Sequence, residues 1–529
     1  MTAHGWSVTN AFQLEPTYWS TIANWRKDVP LTSSLQAALS HRRGIPADFV
    51  LPTQALINGR HVDAADGATL PCVFPATGKV IGQVAACGAN DVDRAVRSAR
   101  NVFERGAWSR MAPQDRRKIL RRFSELILAH RDELALLETL NVGKPITNSR
   151  DRDIPSAAAC IAWFGEAIDK IYGEVAPSDP NLTTILTREA VGVVAAVVPW
   201  NYPLSMAAWK LGPALAAGNS VILKPAEQSP YTAVRAATLA LEAGLPEGVL
   251  NVLPGYGETA GRALGQHMDV DCVTFTGSTE VGKLFLRYAG ESNAKRVSLE
   301  LGGKSPQLVL SDCDIEAAAT AVATGIFANC GQVCDAGSRL VVEASVKDAV
   351  LERVVKYATA LMPGDPLDPD TKLGPVVSRE QHERVLDYIE AGRTAGAKVA
   401  AGGGPALPES GGFFIQPTVF DHVTNSMRIA QEEIFGPVLS TISVTNLEEG
   451  LRVANDTIYG LGASIWTNDI RKAHRAAKAM RAGVVWVNCY GRGDMSVPFG
   501  GFRQSGFGRD KSLHAFDKYT DWKAVWIAT

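Results

Sequence analysis

Between Val193 and Gly282 short apolar runs alternate with longer stretches of helical spacing. Val193–Val198, Ser220–Leu223, Val249–Leu253 and Cys272–Phe275 read as buried strands, with Leu204–Ala217, Tyr231–Ala243, Glu258–Leu264 and Thr279–Tyr288 as helices between and after them. Such alternation predicts a mostly parallel sheet covered by helices, with ligands at the carboxyl ends of its strands. A second alternating block begins near Pro306 and runs through Asn488, with strands around Arg339–Val342, Val438–Val444 and Val484–Val487. Two α/β domains are expected.

From Pro113 to Thr139 the spacing of Leu120, Phe123, Ile127, Leu134 and Leu137 predicts one helix with a buried stripe. Residues 172–190 and 510–529 alternate apolar and polar positions, which predicts the strands of an arm. Gly402, Gly403 and Gly404 mark a loop over Ala401–Pro408. The first fifty or so residues, with Trp6, Trp19 and Trp25, show no sustained period and read as an extension.

Composition narrows the function classes. A chain of 529 residues, 46% hydrophobic, can bury a large core. Its 53 basic and 55 acidic residues are interspersed, so neither a nucleic-acid surface nor a polybasic membrane face is expected, and small-molecule chemistry is. The apolar run Ala190–Trp200 is too short to span a bilayer and reads as a buried strand. Eight scattered cysteines and an N-terminus without a basic segment and apolar core predict a cytoplasmic protein with no cleaved signal peptide. The nine histidines form neither HExxH nor a Cys/His cluster, so no metal site is expected.

Candidate chemistry centres on Cys334, in Asn329-Cys330-Gly331-Gln332-Val333-Cys334, and on Glu300, thirty-four positions earlier in Glu300-Leu301-Gly302-Gly303-Lys304. A thiol can hold an acyl group and a carboxylate can activate the water that releases it, so the pair points to covalent chemistry on a carbonyl. Singly, a Cys is more often a small buried hydrophobe and a Glu a surface charge. Gly277-Ser278-Thr279-Glu280-Val281-Gly282 follows a strand and opens a helix, where N–H groups and the helix dipole can meet a pyrophosphate. It departs from GxGxxG, and glycine there also serves as a plain tight turn. Lys224-Pro225-Ala226-Glu227, after another strand, can reach a ribose diol or form a solvated pair. A Glu227 carboxylate accepting from a 2′-hydroxyl would repel a 2′-phosphate, which favours NAD over NADP. In Pro199-Trp200-Asn201-Tyr202-Pro203, Asn201 can be a turn residue or a donor to a developing oxyanion.

These segments, with Glu433-Ile434-Phe435-Gly436-Pro437 and Pro498-Phe499-Gly500-Gly501, are similar in order and spacing to the NAD(P)-dependent aldehyde dehydrogenase superfamily, over roughly residues 55 to 529. The resemblance implies that Cys334 is the nucleophile, that Asn201 and the Cys334 backbone N–H form the oxyanion site, and that Glu300 is the general base. It assigns Trp200, Lys224, Glu227, Gly277, Ser278, Gly282, Gln381, Glu433 and Phe435 to the cofactor, NAD in preference to NADP. It also implies two Rossmann-like domains, 55–168 with 191–302 for the cofactor and 303–506 for catalysis, an oligomerisation arm over 169–190 and 507–529, and an extension over 1–54. A homodimer or homotetramer is expected. Relatives that pass the acyl group to coenzyme A typically lack the carboxylate found here at Glu300, so water is the expected acceptor.

Gly493–Gly501 and Gly508–Ala515 resemble most the branch that oxidises γ-glutamyl-γ-aminobutyraldehyde and other ω-amino or guanidino aldehydes, which places the chain in polyamine or putrescine catabolism. Asp153, Asp335 and Asp494 fall where they can line the aldehyde tunnel and favour a cationic tail, Asp335 turned away from the sulfur. Tyr202, Met206, Trp209 and Phe499 would supply an apolar and cation–π lining. Cys330 is either a buried thiol or a partner for Cys334 under oxidation. Three other readings compete: a broad aliphatic and aromatic aldehyde dehydrogenase, a non-redox thiol esterase, and a non-catalytic relative.

Overall fold

The computed structural model describes residues 50–528, so the expected extension lies outside the described residues up to position 49. Val193–Val197 is buried at every position and pairs in parallel with Ser220–Lys224 on one side and Cys272–Gly277 on the other. Its run of small and β-branched apolar residues suits a strand covered on both faces. Leu250–Val252 and Arg296–Leu301 extend the parallel core, and Gly506–Phe507, Ala55–Ile57 and Arg60–Val62 complete eight strands. The chain builds outward through Ser220–Lys224 to Leu250–Val252, then returns to the other side of Val193–Val197 as Cys272–Gly277. Strand order therefore reverses between Val193–Val197 and Cys272–Gly277, which opens a crevice beyond their carboxyl ends.

A second sheet has seven strands in the order Lys398–Ala401, Thr418–Asp421, Val438–Val444, Arg339–Glu343, Pro306–Val309, Gly462–Trp466 and Val484–Val487, all parallel but the first. Gly302–Ser305 joins the sheets, so the carboxyl end of Arg296–Leu301 leads directly to the amino end of Pro306–Val309. Thr520–Ala528, Leu182–Ala190 and Glu174–Ala176 form a separate antiparallel sheet.

Two expectations change. The helix expected over 113–139 is two helices, Pro113–Ala129 and Arg131–Val142, broken at His130 (φ −101°, ψ 24°). Leu120, Phe123, Ile127 and, beyond the break, Leu134 share one core with Trp108, whereas Leu136, Leu137 and Leu140 pack with Leu70 and Phe74 in another. The break at His130 re-aims the chain so that its later turns reach the second core, and each fully buried Leu or Phe contributes about 1.5–3 kcal/mol.

The arm also begins later than expected, because residues 510–519 turn inward and Leu513–Lys518 is a short helical turn. Asp510 is drawn into the interior, where its carboxylate meets Lys210 Nζ at 2.5 Å and also pairs with Lys518. Burial pushes its pKa up, but the two ammonium groups outweigh this and hold it below the usual carboxylate range. Asp510→Asn would leave two buried cations short of a counter-charge, a loss of about 3–5 kcal/mol. Urea unfolding measures it, and a change below about 1 kcal/mol would mean that water screens the cluster.

Candidate active site

Glu300 lies near the end of Arg296–Leu301, between Thr276 and Gly506 on the neighbouring strands. Cys334 comes from the loop before Arg339–Glu343, at the amino edge of the other sheet. That loop runs through Asn329 (φ 48°), Cys330 (φ 56°) and Gly331 (φ 70°), three successive residues in the left-handed region. Such backbone costs free energy at the two non-glycines and persists only where the surroundings hold it. Gly331 is required, since a Cβ there would stand 2.0 Å from the Gly436 carbonyl oxygen. Amides pin the rest: Asn201 Nδ2 donates to the Gln332 carbonyl at 2.9 Å, Asn329 Nδ2 to the Asn201 carbonyl at 3.0 Å, and Val377 N–H to Gln332 Oε1 at 2.9 Å. Cys334, Glu300 and Asn201 thus line one cavity of about 1050 Å³.

The centre is dry. Among the described residues neither Glu300 oxygen has a nitrogen or oxygen partner, and Asn201 Oδ1 is likewise unpartnered. Burial, reinforced by Asp510 and Asp335 and opposed by Lys210, pushes the Glu300 carboxyl up to about 8. Burial, then the Glu300 and Asp335 charges, pushes the Cys334 thiol well above its ordinary value. The thiol stands close enough to couple with Glu300, although no nitrogen or oxygen hydrogen bond joins this carboxyl to the protein. Asp335 lines the cavity, as expected, and its charge reaches the thiol through space. Cys330 is buried and packs among Leu373, Val376 and Val385, a free thiol like the other seven.

The crevice at the strand-order reversal opens into the same cavity. Trp200 lines it after Val193–Val197, and Gly277 and Ser278 line it after Cys272–Gly277. Ser278 caps the helix Thr279–Gly290, its Oγ accepting from Val281 N at 3.2 Å. Glu433 and Phe435 form another wall, and Phe435 meets Trp200 edge to face at 5.2 Å. Glu433 approaches so closely that a Cβ on Gly302 would lie 1.9 Å from its Oε2. A switch-point crevice with a helix N-terminus, an aromatic pair and carboxylates fits a dinucleotide.

Four assigned residues stand differently from expectation. Gln381 lines the cavity, but its Nε2 donates to the Ile434 and Phe435 carbonyls at 3.1 and 2.8 Å, so it holds the Phe435 turn. Gly282 faces Leu301, 2.7 Å from where its Cβ would be, and serves close packing of helix on strand. Lys224 and Glu227 lie outside the cavity wall, on the same carboxyl edge of the sheet, and pair at 3.6 Å.

The remaining cavity carries Tyr202, Met206, Trp209 and Phe499, with Trp209 and Phe499 at 5.3 Å. Asp153 also lines it, but its carboxylate is taken by buried Lys144, whose Nζ sits 3.6 Å over the Tyr202 ring. Asp153 as a free attractor for a cationic tail is therefore corrected. Asp494 lines the cavity from an exposed turn, accepting from Ser496 N and Oγ at 2.8 and 2.6 Å. Lys210 and Lys511 were missed. The signal for Lys210 was a lone cation inside the apolar helix Pro203–Ala217; nothing local marked Lys511.

Residues 61–525 match the aldehyde dehydrogenase family, and the chain belongs to it. The NADP/NAD-dependent aldehyde dehydrogenase PuuC of Escherichia coli (strain K12) is 49% identical over 481 residues, which cover 91% of this chain and 96% of PuuC. A γ-glutamyl-γ-aminobutyraldehyde dehydrogenase from Burkholderia cenocepacia J2315 superposes with a TM-score of 0.90 at 52% identity, covering 96% of this chain and 99% of that one. An indole-3-acetaldehyde dehydrogenase solved with NAD+ gives 0.90 at 56% identity, covering 91% and 98%. Among the described residues no helix is long and apolar enough to cross a membrane, and no group of three or more His, Cys, Asp or Glu could hold a metal ion.

Proposed function

We propose that this chain oxidises an ω-amino-type aldehyde, γ-glutamyl-γ-aminobutyraldehyde or a close analogue, to its carboxylic acid with NAD and water. The meeting of Cys334, Glu300 and Asn201 in one cavity with the switch-point crevice carries the reading. Cys334 loses its proton to solvent and its thiolate adds to the carbonyl carbon. The oxyanion of this thiohemiacetal is held by the Cys334 backbone N–H and the second N–H of Asn201 Nδ2, whose first is spent on Gln332. Bound NAD supplies the hydride acceptor. On the thioester that remains, Glu300 takes a proton from water, the hydroxyl adds, and the C–S bond breaks to free the acid and the thiolate.

For the cofactor, Lys224 and Glu227 would take the adenosine ribose, Gly277 and Ser278 the pyrophosphate, Glu433 the other ribose, and Trp200 and Phe435 the nicotinamide. Gln381 and Gly282 act through the geometry they hold. Asp335 and Asp494 would attract the cationic tail along the aromatic wall of Trp209 and Phe499. The names of PuuC and of the Burkholderia enzyme support this substrate class. The apolar wall and the indole-3-acetaldehyde relative support a second reading, a broad specificity that includes aromatic aldehydes. Trp522, Val525, Trp526 and Ile527, exposed on the outermost strand, support a homodimer or homotetramer, and eight free thiols a cytoplasmic protein.

The test is NADH formation at 340 nm with 3-aminopropanal, propanal and phenylacetaldehyde. A kcat/KM at least about tenfold higher for the amino aldehyde than for propanal is expected from one charge-assisted contact. Preference for propanal or phenylacetaldehyde selects the second reading. The same assays with NADP should run at least about tenfold lower, and equal rates would remove Glu227 from the cofactor site.

A further inference from the structure

Several acids around the cavity are engaged, although Glu300 and Asp335 make no ion pair with any described residue. Asp153 is taken by Lys144, Asp510 by Lys210 and Lys518, and Asp494 by Ser496. Lys511 is the contrasting case. Its side chain is half-buried in the cavity wall, its Nζ lies 4.4 Å from the Trp209 ring centre and 5.5 Å from that of Phe499, and it makes no ion pair or hydrogen bond with any described residue. Two aromatic faces do not replace a counter-anion for an ammonium withdrawn from water.

The backbone holds this group in place against local preference. Lys511 (φ 58°) and Ser512 (φ 50°) are consecutive side-chain-bearing residues in the left-handed region. The corner is clamped on both sides. Phe499 and Asp510 exchange backbone hydrogen bonds of 2.8 and 2.7 Å, and Ser512 N–H donates to the Met495 carbonyl at 2.7 Å. Strain maintained by surrounding bonds collects at ligand clamps. At Gly493, beside Asp494, an added Cβ would lie 3.4 Å from Lys511 Nζ, so ammonium and carboxylate stand at neighbouring points of the cavity wall. Burial lowers the pKa of Lys511 while Asp335 opposes that pull, and a bound anion would oppose it further.

We propose that Lys511 recognises a carboxylate at the far end of the aldehyde, so that the preferred substrates are aldehydes with an anionic or amino-acid-like terminus. This deepens the aldehyde-oxidising reading and rests on it. Asp494 beside it would take the ammonium of such a terminus, and Lys511 its carboxylate.

The experiment compares 4-oxobutanoate, 5-oxopentanoate and 6-oxohexanoate with butanal, pentanal and hexanal, in the full chain and in Lys511→Met and Lys511→Arg. The readout is the ratio of kcat/KM for oxo acid over alkanal at each length, which a general structural defect leaves unmoved. At the length that reaches Lys511, the ratio should fall at least about tenfold in Lys511→Met and be largely retained in Lys511→Arg, as for loss and retention of one charge-assisted hydrogen bond. A ratio unchanged at all three lengths in Lys511→Met, or lost equally in Lys511→Arg, overturns the assignment. If the unaltered protein oxidises none of the six aldehydes, the underlying reading fails instead.

Discussion

Cys334→Ser will lower kcat/KM for every aldehyde at least about ten-thousandfold, the scale of losing a covalent nucleophile. A serine hydroxyl is isosteric but ionises far less readily, and burial with the Glu300 and Asp335 charges opposes ionisation at that atom. The loop itself should survive, because its left-handed path is set by Gly331 against Gly436 and by the amides of Asn201, Asn329 and Gln332. The check is NADH formation at 340 nm together with the thermal midpoint, which should hardly move. NAD-independent ester cleavage should disappear in parallel; if the variant kept full aldehyde turnover, covalent catalysis at this position would be excluded.

Glu300→Gln should separate the two halves of the reaction. Capture and oxidation can still occur, but the thioester then lacks its base, so steady-state kcat should fall about 10²- to 10⁴-fold, the usual worth of a positioned general base. A rapid burst approaching one NADH per subunit should precede slow turnover, with the acyl group found on Cys334 by mass spectrometry. The pH profile provides an independent reading. Glu300 titrates near 8 because it is buried, so below that pH it is mostly protonated and cannot take a proton from water. In the unaltered protein kcat should rise with pH and level off above about 8, and in Glu300→Gln this limb should vanish. A variant with neither burst nor loss of rate would remove Glu300 from hydrolysis.

Much of the architecture was legible because its signals are local. Val193–Val197, Ser220–Lys224 and Cys272–Gly277 are continuous apolar strands, and Pro203–Ala217 opens with proline and stops at left-handed Gly218. The break at His130 was not legible, since both helices keep one apolar period and the second core is reached only beyond it. Asp510 and Lys511 were misread for a related reason. Alternation near the C-terminus looked like strand, but Lys210 and Lys518 draw Asp510 inside and turn the chain. Asp153 has the residue type a cationic substrate would want, yet Lys144, nine positions earlier, already neutralises it.

By itself the sequence determined the α/β class and its main strands, and it singled out the candidate thiol, carboxylate and amide, because periodicity and side-chain chemistry are written residue by residue. Only the tertiary structure decided that burial pushes the Glu300 carboxyl up to about 8, which acids are already paired, and that Lys511 faces the cavity without an ion pair to any described residue. Burial and charge pairing depend on groups brought together from distant positions, such as Lys210 with Asp510 across 300 residues, and no local pattern encodes that meeting.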